Sequence, residues 1–126
     1  MKTSELSGAA LDWAVAKCEG FEAFTDGISW IIDHAGSYQP LPKYSTNWAQ
    51  GGPIIEREEI ELRVIPTGRN PDNWQGANDF DAWEANVCPP DVDYVRAFGP
   101  TPLIAAMRCF VESKLGDEIE LPEELK

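Results

Sequence analysis

The segment from Thr101 to Gly116 constrains the fold of this chain more than any other stretch. Thr101 offers a hydroxyl to a helix-start N–H, Pro102 suits a first helical position, and Gly116 supplies a natural stop. Between them Leu103, Ile104, Met107, Phe110, Val111 and Leu115 recur three and four residues apart, with Arg108, Glu112 and Lys114 at polar or marginal positions. The spacing predicts a helix over 102–115 whose apolar face requires a partner layer. A second helix is predicted at the other end, over 6–18, where Leu11, Ala14, Val15 and Cys18 form a stripe widened by Leu6, Ala10 and Trp13, behind the capping side chains of Thr3 and Ser4. Gly20 ends it, and Phe21 and Phe24 are expected to complete its layer. Asp12, inside that helix, admits a place facing a site, with a solvated position the expected one.

The middle of the chain reads as strands. Ile28 to Asp33 is a short β-branched and aromatic run between Gly27 and the turn-forming Gly36 and Ser37, with His34 just beyond it at the surface. Tyr38 to Lys43 carries Pro40 and Pro42 and reads as a loop, because proline cannot donate to a central ladder. Ile60, Leu62 and Val64 alternate with Glu61 and Arg63, the signature of a strand with one dry face. Residues 66–81 are rich in Gly, Pro, Asn and Asp and predict a long surface excursion, with Trp74 and Phe80 folding back on the body. Ala82 to Val87 is a third strand, residues 91–98 connect onward, and Ile119 and Leu121 alternate with acids in an extended tail. No repeat and no second domain is apparent, so residues 1–126 are read as one domain.

Charge narrows the function classes. With 22 acidic and 10 basic residues the formal net charge is -12, which disfavours phosphate backbones and anionic membranes. No apolar run approaches the roughly 18 residues of a membrane span and no leader pattern is present, so a cytoplasmic protein is expected. Cys18, Cys88 and Cys109 form no CxxC pair and His34 is the single histidine, so neither a metal site nor a cofactor is expected. Catalysis has no inventory: GxSxG, HExxH and P-loop motifs are absent, and Ser45 has no base in the sequence beyond His34.

Binding is better supplied. The stretch Tyr44 to Glu58, YSTNWAQGGPIIERE, concentrates hydroxyls, an amide, an indole and two glycines ahead of an amphipathic segment. Tyr44, Ser45, Thr46, Asn47 and Trp48 combine stacking surface with neutral donors, and Gly51 and Gly52 admit close approach to backbone amides. Lys43 and Arg108 are placed to neutralise a phosphate, and the helix start at Thr101 is a natural anion site. The same residues also admit an architectural role: Tyr44 and Trp48 as core, Ser45 and Thr46 in a turn, Asn47 capping a short helical turn, Gly51 and Gly52 as a hinge, Pro53 opening a further turn, and Arg108 paired with an acid.

LDWAVA at Leu11 to Ala16, the Tyr44–Glu58 stretch, and GPTPLIAAMRCFVESKLGDEIELP at Gly99 to Pro122 together resemble the NinX-like family of small phage and prophage proteins. The last motif is also similar to the phage ABA sandwich domain. That resemblance implies an α+β fold, a single-domain α/β/α sandwich with a small, mainly antiparallel sheet between helices. It also implies a phage accessory setting in the host cytoplasm, acting on host processes or defence. The expected function is non-enzymatic binding, sequestering a small nucleotide-like ligand. The alternative is an acidic module, a homo-oligomer that engages a host protein through exposed Trp74 and Trp83.

Overall fold

In the computed structural model, which describes residues 1–65, 82–88 and 94–126, the helix expected near the C-terminus is the centre of the molecule. Helix α3 (Pro102–Leu115) is capped by Thr101, whose Oγ1 accepts the Ile104 N–H at 3.1 Å, and it ends at Gly116 with φ of 88°. Every residue from Ala105 to Val111 is buried, so both sides of the helix are covered. A helix dry all round is a core helix rather than a surface one.

One cover is an antiparallel sheet of β4 (Glu61–Val64), β5 (Trp83–Val87) and β6 (Val95–Gly99), in that order. Its register aligns Leu62 with Ala85 and Ala85 with Ala97, which share the face that also carries Gly99. These small side chains let α3 approach closely: a Cβ on Gly99 would lie 2.7 Å from the Ala105 amide nitrogen. The opposite face holds Glu84, Asn86 and Arg96, where Glu84 is buried, accepts the Asn86 side-chain amide at 2.8 Å, and meets the half-exposed Arg96 at 3.4 Å.

The other cover of α3 is helical. Helix α1 (Gly8–Cys18) buries Leu11, Ala14, Val15 and Ala16 and touches both α3 and the second sheet, formed by the meander β1 (Glu22–Thr25), β2 (Trp30–His34) and β3 (Ser37–Pro40). Asp26 organises the first hairpin by accepting the Ile28 and Ser29 N–H groups, each at 2.9 Å. The second turns on Ala35 and Gly36, both with positive φ, the two-residue geometry that matches strand twist. Helix α2 (Trp48–Glu58) packs on α3 and is tied to its neighbours by charge: Arg57 binds Glu19 after α1 and also Glu58, while Lys114 of α3 reaches Glu58 at 3.3 Å.

The ends of the chain are stitched together. Thr3 donates its N–H to the Asp117 carbonyl at 2.9 Å and its hydroxyl to the Gly116 carbonyl at 2.7 Å, and Lys2 bridges Glu118.

The α+β class, both long helices and the strands near 28–33, 60–65 and 82–87 are as the sequence predicts, with the strands divided between two sheets. Three features differ. The expected loop at 38–43 begins as β3, because Pro40 falls on an edge strand where a missing N–H is harmless. β1 and β6 were not anticipated, since EAFT is too short and VRAFG runs on without turn residues. Around Asn47 and Pro53 there is one continuous eleven-residue helix rather than two turns, with Gly52 before the proline relieving the usual clash. The excursion at 66–81, with Trp74 and Phe80, lies outside the described residues.

Candidate functional site

The site is built around a carboxylate on the inward side of α1. Asp12 is 6% exposed, against the expectation of a solvated position, because it lies three and four residues before the buried Val15 and Ala16 and so shares their stripe. Its Oδ1 accepts the Ser45 N–H at 2.8 Å, which pins the segment Lys43–Thr46 to α1. Burial pushes the Asp12 carboxyl above its ordinary range, although the neighbouring Ser45 hydroxyl and N–H and the Lys43 charge partly oppose the rise. The Ser45 hydroxyl is itself buried beside this carboxylate.

Two hollows flank this segment. A cavity of about 450 Å³ is lined by Asp12, Ser29, Trp30, Leu41, Lys43 and Thr46, among others. Its size falls within the range usual for small-molecule sites, and it combines an aromatic face, a cation, hydroxyls and a buried acid. A smaller cleft of about 220 Å³ lies between Ser45, Thr46 and Trp48 on one side and Thr101, Leu103 and Ile104 on the other. Thr46 lines both. At the α3 start Pro102 has no N–H and the Thr101 hydroxyl occupies that of Ile104, leaving the Leu103 N–H as the open donor of the first turn.

The predicted residues therefore separate into two groups. Lys43, Ser45, Thr46, Trp48 and Thr101 are brought together around the two hollows. Tyr44 is 5% exposed and belongs to the core; burial and the nearby acids Glu19 and Asp12 push its phenol up to about 12. Asn47 caps α2 by accepting the Ala49 N–H at 2.9 Å. Gly51 serves packing, since a Cβ there would meet the Tyr44 carbonyl oxygen at 2.3 Å and Leu103 at 2.7 Å, while Gly52 lies beside the Trp48 ring. Arg108 is buried, donating its Nε to the Leu6 carbonyl at 2.8 Å and Nη1 to the Phe98 carbonyl at 2.9 Å, and it lines neither hollow. Sequence reasoning missed Ser29, Trp30 and Leu41 and ranked a site-facing Asp12 behind a solvated one. Only Asp12 had a readable signal, its place on the apolar stripe.

Neither His34 nor the thiols of Cys18 and Cys109 line the hollows. His34 packs edge-on against Phe21 with ring centroids 5.2 Å apart. Burial raises the Cys18 and Cys109 thiols to about 12, so both stay protonated at neutral pH. No described helix is long and apolar enough to cross a membrane.

Comparison with known proteins adds two findings. The fold is similar to that of a phage protein from Bacillus cereus ATCC 14579 solved by crystallography, with a TM-score of 0.58 at 19% identity over 95% of this chain and 93% of that one. No curated protein matches. The profile described as "Bacteriophage P22, NinX" matches residues 2–114, nearly the whole chain and both sides of the cavity, and the chain therefore belongs to the phage P22 NinX family.

Proposed function

We propose that this phage NinX-family protein acts without catalysis, sequestering a small nucleotide-like ligand in the host cytoplasm as a counter-defence function. The observation that carries the reading is the cavity beneath Thr46, where the Trp30 indole, the Lys43 ammonium and two hydroxyl side chains surround about 450 Å³. A planar base suits the indole, and a phosphate suits Lys43 and the adjoining cleft at the α3 start. Thermal-shift and calorimetric titration with nucleoside monophosphates and cyclic dinucleotides tests it, followed by mass spectrometry of the released ligand. A stabilised protein that returns its ligand unaltered supports sequestration. An altered ligand overturns the non-catalytic part, and the absence of any nucleotide binding overturns the reading.

A second reading, an acidic module engaging a basic host protein, is favoured by the meander sheet. Ile28 is 93% and Tyr38 70% exposed, and Tyr38 packs edge-on against Phe24 at 5.5 Å. Of the aromatics first assigned to that role, Trp83 is half-buried against the core and Trp74 lies outside the described residues. Concentration-dependent self-association, lost in Tyr38→Ser, would turn this surface into a homo-oligomer contact instead.

A further inference from the structure

Resting on the nucleotide reading of the cavity, we infer that the site selects guanine, with Asp12 accepting the ring N1–H and the exocyclic N2–H of the base. Asp12 is more than nine-tenths buried yet lines the 450 Å³ cavity. Its Oδ1 is held by the Ser45 N–H at 2.8 Å, which together with the neighbouring Ser45 hydroxyl sets the plane of the carboxylate and uses at most two of its acceptor positions. A carboxylate offers roughly four acceptor positions and no donor. The group that fills the cavity must therefore present N–H groups to it.

Among the common bases only guanine presents two adjacent N–H donors along one edge. Adenine and cytosine set one donor beside a ring lone pair, and uracil sets its N–H between two carbonyls, so each aims lone pairs at the carboxylate. At a carboxylate only 6% exposed that mismatch is costly, and a site built for a donor edge rejects the edge that lacks it. Trp30 lines the same cavity and supplies a face for the purine, Lys43 lines it as the cation for a phosphate, and Thr46 joins it to the adjoining cleft.

Isothermal titration of the whole chain with 5′-GMP, AMP, CMP, UMP, IMP and XMP tests the assignment. One well-placed bidentate pair discriminates by about 10- to 100-fold, so GMP is expected to bind at least about 10-fold tighter than AMP, CMP or UMP. IMP, which lacks the N2 amino group, should fall between them. Asp12→Asn keeps an acceptor for the Ser45 N–H and turns a donor toward the ligand, so it should lose GMP by about 10- to 100-fold and gain XMP, whose O2 replaces the amino group. Equal binding of GMP and AMP, or of GMP and IMP, overturns the guanine assignment and leaves the nucleotide reading standing. GMP affinity unchanged in Asp12→Asn also overturns it. If the variant fails to fold, the GMP–IMP comparison on the native chain decides alone. No binding of any of the six overturns the nucleotide reading itself.

Discussion

Arg108 shows how burial reassigns a charged side chain. From the sequence it is a plausible phosphate partner, but its guanidinium holds the Leu6 and Phe98 carbonyls, joining the chain before α1 to the end of β6. Arg108→Ala strands two buried carbonyls, each costing about 1–3 kcal/mol, so a loss of about 3 kcal/mol in urea denaturation is expected. Tyr44→Ala belongs to the same class, and neither variant is a clean probe of binding; the exposed Lys43, Thr46 and Trp48 are. Asp12 carries a pH signature. Its folded pKa is raised, so the stability it contributes is full below its unfolded value of about 3.9 and is lost as pH climbs through the folded value. Asp12→Asn cannot ionise, so its stability relative to the native chain is expected to rise between about pH 3.5 and 7, read from urea midpoints at both ends. Glu58 has the opposite sign. Burial alone would raise it, but hydrogen bonds from Arg57 and Lys114 hold it below its ordinary range, so its contribution is lost as pH falls through that lowered value.

Among the elements, α2 tests the architecture most directly. Gly51 sits inside a helix, where alanine would gain about 1 kcal/mol of propensity. The new Cβ would meet the Tyr44 carbonyl oxygen at 2.3 Å, a backbone atom that cannot yield without moving the segment pinned to Asp12. Overpacking of about 1–3 kcal/mol should win, so Gly51→Ala is expected to lower the thermal midpoint. The long helices were legible in the sequence because caps and apolar spacing agree over many residues, as at Thr101, Pro102 and Gly116. The short strands were not, because β1 and β3 are four residues each and lie in a meander where only Ile32 is buried. The site was half legible. Hydroxyl-rich chemistry marked Ser45, Thr46 and Trp48, but the cavity wall comes from α1 and the β2–β3 sheet, and no local pattern announces that Asp12 and Trp30 meet Lys43.

At the scale of the whole molecule, the net charge of -12 opposes compaction. The described ion pairs are mostly exposed, so screening should relieve more repulsion than it removes attraction, and the thermal midpoint is expected to rise between about 20 and 500 mM sodium chloride in scanning calorimetry. A falling midpoint would show that the Glu19–Arg57–Glu58–Lys114 chain outweighs the general repulsion. The stitching of Thr3 to Gly116 and Asp117 bears on time as well as on stability. It closes a loop of more than a hundred residues, whereas the β1–β3 hairpins pair neighbours only a few positions apart. Long closures are entropically late, so the meander is free to form early and the terminal stitch completes the molecule last. The Leu6–Arg108 bond, which spans 102 residues, belongs to the same late class, so pulsed hydrogen exchange during refolding is expected to show protection in the meander before it appears at Thr3 and Leu6.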